Sequence, residues 1–230
     1  MPKTIVLVVA AGSGALAFQL LSELQRLNCP IKRYNIMDLS STLKARQQAK
    51  LAPFGDQVQW LSQWPDQLQG VVVGNEVLDA MPVKLLQRRA GVWHERGVTL
   101  DPLSGAFVWA ERLTDLRPPC EIAGDHDHVC EIHPQAQAFV RSLAEHWQQG
   151  AAFFIDYGFP EAEYYLPQRH MGTLMCHHGH LADPDPLVRV GEKDITAHVN
   201  FTGIALAGQE AGLPVLGYTS QARFLVNCGL

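Results

Sequence analysis

The first 80 residues alternate between unbroken apolar runs and segments with helical spacing. Ile5–Val9 (IVLVV) is a β-rich run that leads directly into Ala10-Ala11-Gly12-Ser13-Gly14. Leu16, Leu20, Leu21, Leu24 and Leu27 then recur at helical spacing, so strand, glycine turn and helix follow in order. Ile31–Met37 predicts a second strand and Ser41–Leu51 a second helix, which Pro53 and Gly55 interrupt. Val58–Trp60 predicts a third short strand. Val71, Val72 and Val73, inside the stretch Gly70–Val83, predict a strand buried on both faces because they do not alternate with polar residues. This βαβαβ order predicts a doubly wound α/β sheet.

Beyond Pro82 the pattern changes. Val83–Gln87 and Gly91–Val98 predict strands around a turn, and Thr99–Leu113 predicts two further short β pieces. Together they form an antiparallel insertion, followed by a loop over Leu116–Asp127. Pro134–Gln149 has helical spacing and meets Gly150 as a C-terminal stop, after which Ala151–Ile155 predicts another buried strand. Ile204–Gly212 predicts a short helix and Val215–Thr219 a strand. The expected organisation is a first half of the α/β domain over 1–82, the insertion over 83–130, and the second half with its loops over 131–230.

In open α/β sheets ligands bind outside the carboxyl ends of the strands, and several polar residues fall at such ends here. Gly12 and Gly14 would let the backbone approach a ligand at a helix N-terminus. Asp38, at the end of the second strand, suits the two hydroxyls of a ribose, or else it caps the following helix in competition with Ser40 or Ser41. Trp60 suits either an adenine face or the core. Asn75, Glu76 and Asp79 crowd the end of the Val71–Val73 strand, and Asp156 follows the later one. Each has capping as its simpler explanation.

The composition narrows the classes. At 47% hydrophobic and 18% charged the chain suits a globular protein with a substantial core. A formal charge of −5 gives no broad basic footprint for nucleic acid. No apolar run reaches membrane-spanning length, and the N-terminus lacks the pattern of a signal peptide. Five scattered cysteines without a C-x-x-C fit reduced thiols in the cytoplasm. Cys176, His177, His178, His180 and His198 are ligand types for zinc, but adjacent histidines in an extended chain point apart, so no metal is expected. His180 and His198 instead suggest a structural or substrate-lining role, with Asp194 and His198 able to face one cleft. A nicotinamide dehydrogenase fits poorly, since Ala15, Leu16 and Ala17 follow Gly14 and the third glycine of that fingerprint is absent.

AAGSGALA (Ala10–Ala17), NEVLDAMPV (Asn75–Val83), IDYGFPEAEYYLPQR (Ile155–Arg169), GTLMCHHGH (Gly172–His180), GEKDITAHVNFT (Gly191–Thr202) and the final QARFLVNCGL together resemble the MidA-like family of S-adenosylmethionine-dependent methyltransferases. Mitochondrial members of that family are complex I assembly factors that methylate a protein arginine. The resemblance implies a Rossmann-like class I methyltransferase sheet with an antiparallel β insertion. It also implies S-adenosylmethionine as cofactor, held by Gly12, Gly14, Asp38 and Asn75, and a protein substrate met by Glu76, Asp79 and Asp156. Carboxylates suit a guanidinium because they accept its planar fork of N–H donors. Two departures stand out. Val8 and Ala10 occupy places where the family's turn carries its acid, and the chain is expected to be short at its N-terminal end. The other reading is therefore a non-catalytic docking or assembly module of the same fold, with self-association expected through an uncovered apolar patch.

Overall fold

The computed structural model describes residues 4–179 and 181–230. In chain order the elements are β1 (Ile5–Val9), α1 (Ala15–Arg26), β2 (Arg33–Met37), α2 (Ser41–Leu51), β3 (Val58–Leu61), β4 (Leu68–Asn75), β5 (Lys84–Arg89), β6 (Val92–Leu100), β7 (Phe107–Leu113), β8 (His128–Ile132), α3 (Pro134–His146) and β9 (Trp147–Ile155). There follow β10 (Gly158–Phe159), α4 (Glu161–Tyr164), β11 (Met175–His178), β12 (Leu181–Asp183), β13 (Asp194–Thr196), β14 (Val199–Asn200), α5 (Phe201–Glu210) and α6 (Gln221–Asn227). The chain forms two compact units. One comprises Met1–Leu78, Ser142–Asp156 and Val215–Leu230, the other Asp79–Arg141 and Tyr157–Pro214.

The first unit is built on a five-stranded sheet in the order β3-β2-β1-β4-β9, with every neighbouring pair parallel. Strand order reverses between β1 and β4, which makes their carboxyl ends the switch point where such sheets take ligands. One face is covered by α1 and α2. Leu21 and Ala17 of α1 and Leu51 of α2 pack with Val6, Val8, Tyr34, Ile36 and Val58 of the strands into one buried cluster. Two glycines set the approach of the strands. Gly70 in β4 and Gly150 in β9 have φ of 145° and 140°. A Cβ on Gly70 would overlap the Ile5 carbonyl, and one on Gly150 the Gly70 carbonyl. Gly150 therefore lies inside a strand and does not end a helix as its context suggested. The helix stops at His146, and β9 starts four residues earlier than the apolar run Ala151–Ile155 indicated.

The second unit carries the antiparallel sheet β7-β6-β5-β8, so the predicted insertion is present. Its strand β8 was not evident in the sequence, because His128 and Glu131 interrupt an otherwise apolar stretch and both turn inward. Leu86, Ile122, Cys130, Tyr164 and Tyr165 form the buried cluster of this unit, with Trp93 and Phe159 packed against it. A three-stranded sheet β12-β11-β13 and a short parallel pair β10-β14 complete it. Asn200 begins α5 by accepting a hydrogen bond from Gly203 N (3.1 Å). The expected strand at Val215–Thr219 is absent. That segment has no regular structure and is exposed, and Ser220 then caps α6.

Candidate active site

β1 delivers the chain into a tight turn at the switch point. Ala10 has φ 51°, Gly12 53° and Gly14 77°, and Gly14 N closes the turn on the Ala11 carbonyl (2.9 Å). Gly14 is also the N-cap of α1 and has no side chain with which to cap it, so the first N–H groups of the helix face the end of the sheet. A Cβ built on Gly12 would meet open space within 4 Å. The turn thus needs glycine there for its backbone conformation, and it leaves room above the backbone for a ligand.

Asp38 stands beside this turn, at the end of β2. Its Oδ1 accepts from Ser40 N (2.9 Å) and its Oδ2 from Gln47 Nε2 (2.8 Å). A carboxylate has about four acceptor positions, so two remain for a pair of hydroxyls. Ser40, not Asp38, caps α2 through its Oγ, which accepts from Leu43 N (3.2 Å). The capping alternative for Asp38 is thereby taken by its neighbour. Gln47 is the residue that joins the parts. Fully buried, it donates also to the Gly12 carbonyl (2.9 Å) and accepts from Trp60 Nε1 (2.9 Å). Turn, acid and indole are held by one amide. Trp60, half-buried at the end of β3, packs on the core with its ring edge tied to Gln47. Nothing in the sequence reading singled out Gln47. The available signal was its place between Leu43 and Leu51, a polar residue on the inward stripe of α2.

On the other side of the switch point β4 ends at half-buried Asn75, paired in register with Ile155. Glu76 follows with φ 51°, a left-handed conformation that costs a non-glycine residue roughly 1–2 kcal/mol. Its N–H is fixed on the Ile155 carbonyl (2.9 Å) and its side chain is exposed. Asp156 Oδ2 accepts from both Val77 N (3.1 Å) and Leu78 N (2.9 Å), which ties the turn after β4 to the end of β9. The cap reading of Asp156 therefore has direct geometric support. Asp79 is 5% exposed and begins the second unit, where its carbonyl accepts from Ala197 N (3.0 Å). Of the two acids in Asn-Glu-x-x-Asp, Asp79 is buried and Glu76 is exposed.

The second unit holds a buried carboxylate that the sequence reading also missed. Glu131, 0% exposed, accepts from Thr173 N (2.8 Å), Leu174 N (3.1 Å), Thr173 Oγ1 (3.1 Å) and Tyr164 Oη (2.9 Å). Its own carbonyl accepts from Tyr165 Oη (2.8 Å). Thr173 Oγ1 in turn accepts from His198 N (3.0 Å), and the His198 carbonyl meets His133 Nε2 (2.8 Å). The Glu131 side chain thus binds together Tyr164, Thr173 and Leu174, and through Thr173 it reaches His198. Burial and the nearby carboxylate push the Tyr164 phenol far above its ordinary value, so it remains a donor. Burial also lowers His133. His198 is half-buried with its ring stacked on Phe159 at 5.3 Å, whereas Asp194 is exposed. His180 lies outside the described residues. His177 and His178 are exposed and Cys176 is buried. Among the described residues no three His, Cys, Asp or Glu side chains are grouped to hold a metal ion.

Comparison with known proteins decides the family. A family model described as "Putative S-adenosyl-L-methionine-dependent methyltransferase" matches residues 2–219. The chain belongs to this family. Within it, the chain is similar to the mitochondrial protein arginine methyltransferase NDUFAF7 of Danio rerio, 30% identical over 168 residues. That match covers 70% of this chain and 37% of the relative. The Xenopus laevis protein of the same name is 29% identical over 173 residues, covering 69% of this chain and 35% of its own. The chain therefore spans a little over a third of the length of these relatives.

Two crystal structures from Burkholderia thailandensis share the methyltransferase-family fold closely. An uncharacterized protein superposes with a TM-score of 0.92 at 48% identity, over 99% of this chain and 63% of its own. A second, solved with S-adenosyl-homocysteine bound, has a TM-score of 0.91 at 47% identity, over 99% and 60%. The expected Rossmann-like methyltransferase sheet with an antiparallel insertion is thus present. The Gly12–Gly14 turn, the spare acceptor positions of Asp38 and the indole of Trp60 are of the chemical types that would suit a ribose and an adenine.

Proposed function

We propose that this chain binds S-adenosylmethionine at the β1/β4 switch point and takes part in methylating a protein arginine. The observation that carries the cofactor half is the Gln47 hub, which holds Asp38 beside an open glycine turn in a site of the right chemistry. The arginine half is supported by the relatives named as protein arginine methyltransferases and by the exposed acid at Glu76.

S-adenosylmethionine supplies an electrophilic methyl group on a sulfonium. Asp38 would accept hydrogen bonds from the ribose hydroxyls, the N-terminal turn of α1 would meet the amino-acid end, and Asn75 would orient the ligand from the other side of the switch point. Glu76 would accept N–H groups of the guanidinium and orient one nitrogen towards the methyl. As the N–C bond forms the C–S bond breaks, S-adenosylhomocysteine leaves, and the proton of the methylated nitrogen passes to the Glu76 carboxylate or to water. Positioning and electrostatics supply the catalysis, and no covalent enzyme intermediate is required. The proposed setting is the cytoplasm, whose reducing conditions suit five free cysteines.

A second reading has one observation in its favour: Ala10 occupies the family's acid position in the turn, with φ 51°. On that reading the chain is a docking module with the methyltransferase fold. Calorimetric titration with S-adenosylhomocysteine tests the first step. Micromolar affinity, about −8 kcal/mol, lost in Asp38→Ala, is expected, whereas absence of binding up to millimolar ligand refutes the cofactor site. Transfer of labelled methyl to arginine in a protein extract, abolished in Glu76→Gln with cofactor affinity unchanged, separates the enzyme from the docking module.

A further inference from the structure

The second unit contains a cavity of about 460 Å³ whose lining includes none of the residues assigned above. That volume lies within the roughly 300–1,000 Å³ range of small-molecule sites. Its floor is Arg88 of β5, only 7% exposed. The guanidinium is held on three sides. Nε donates to the His126 carbonyl (3.2 Å), Nη1 donates to the Ile122 carbonyl (2.9 Å), and the group lies over the Trp93 ring at 5.5 Å. Among the described residues Nη2 has no acceptor, and bulk solvent does not reach it. None of the ion pairs among those residues involves Arg88. Two carbonyl dipoles do not neutralise a full charge, and a buried cation without an anion is among the costlier things a fold can retain.

The rest of the lining indicates what would compensate that charge. Arg117 stands exposed on the cavity, with Nη1 fixed on the Thr114 and Leu116 carbonyls (2.8 and 2.7 Å). Trp93, Ile122 and the restricted pair Pro118-Pro119 supply flat apolar walls. Glu121 and Asp125 also line the cavity and are exposed, so a doubly charged anion meets more repulsion than a singly charged one.

We propose that this cavity is a binding site for a small monocarboxylate with a flat apolar body, the carboxylate pairing with the exposed Arg117 above the buried charge of Arg88 and the body lying against Trp93 and the prolines. The proposal is independent of methyl transfer.

Benzoate is the probe, titrated into the full chain and followed by tryptophan fluorescence and calorimetry, with benzyl alcohol and inorganic phosphate in parallel. Cys120 provides a second readout, since it lines the cavity and is partly exposed, whereas the exposed Cys29 and Cys228 do not line it. Saturable benzoate binding, at least about tenfold tighter than either comparison ligand, is expected, in line with a charge-assisted pair. Benzoate should slow alkylation of Cys120 by iodoacetamide and leave Cys29 and Cys228 unaffected. Arg88→Met should abolish binding. Because that residue is buried, Arg117→Gln gives a surface variant, expected to weaken binding severalfold without unfolding the chain. No saturable binding up to about 50 mM, far weaker than any specific site, overturns the proposal. So does equal binding of benzyl alcohol, tighter binding of phosphate, or unprotected Cys120.

Discussion

Replacing Gln47 by methionine tests whether one buried amide organises the cofactor end of the sheet. Methionine keeps nearly the same length and volume, so packing against the core changes little. Three hydrogen bonds disappear: to the Gly12 carbonyl, to Asp38 Oδ2 and from Trp60 Nε1. A bond to a charged acceptor contributes roughly 1.5–3 kcal/mol and each neutral one roughly 0.5–1.5. The total is about 2.5–6 kcal/mol, reduced where Gly12 and Trp60 recover water. A net destabilisation of about 3 kcal/mol is therefore expected, read as a shift in the urea midpoint at unchanged slope. The functional consequence is separate. Without Gln47, Asp38 keeps only its bond from Ser40 N and can rotate away from the turn. S-adenosylhomocysteine affinity should fall about tenfold, equivalent to ~1.4 kcal/mol, measured by calorimetry at a temperature where the variant is folded. Gln47→Glu should be worse at neutral pH, because a carboxylate would then face Asp38, and should partly recover as acid restores a donor. A Gln47→Met chain that binds S-adenosylhomocysteine within twofold of the parent, while Asp38→Ala has lost binding, would refute the claim that Asp38 depends on Gln47.

Other consequences follow from the two units separately. Glu131→Ala leaves Tyr164 Oη, two backbone N–H groups and Thr173 Oγ1 without their buried acceptor, so a loss of at least about 3 kcal/mol is expected; a variant with parental thermal stability would show that water replaces the carboxylate. Gly70→Ala forces a Cβ against the Ile5 carbonyl at a φ of 145° and should destabilise by about 3 kcal/mol or abolish soluble expression, against little effect for Gly217→Ala, whose Cβ meets nothing. Burial pushes His128 down to about 4, with the charges of Arg88, His126 and His170 adding to the effect. The unfolded chain then takes up a proton first as pH falls, so stability is full above about pH 6.5 and declines towards pH 4, by at most about 3 kcal/mol. In His128→Phe that part of the acid dependence should be missing from urea midpoints measured across the window.

The order of the first four parallel strands and their two helices, the presence of an antiparallel insertion, and several of the candidate ligand groups were determined locally and could be read from the chain. A β-branched run entering glycines has few conformations open to it, and an acid at a strand end in a parallel sheet lies at the ligand edge, where it can bind or cap. For Gly12, Gly14, Asp38 and Asn75, residue type and position in the element were enough for their placement at that edge. What tertiary structure alone decided is which polar groups are buried together. Gln47 was not singled out by the sequence; the rotation of α2 on the sheet placed it under the glycine turn. Glu131 carried no signal in the sequence, yet it accepts hydrogen bonds from residues 33 to 43 positions away. Gly150 looked like a helix stop until the Gly70 backbone was seen to require it. Asp156 and Asp79 likewise divided from Glu76 only through their partners and burial. Local pattern reports the conformational preference of a segment and the side it turns inward. The worth of a buried polar group depends on partners that the chain brings from elsewhere, and those exist only once the segments have packed.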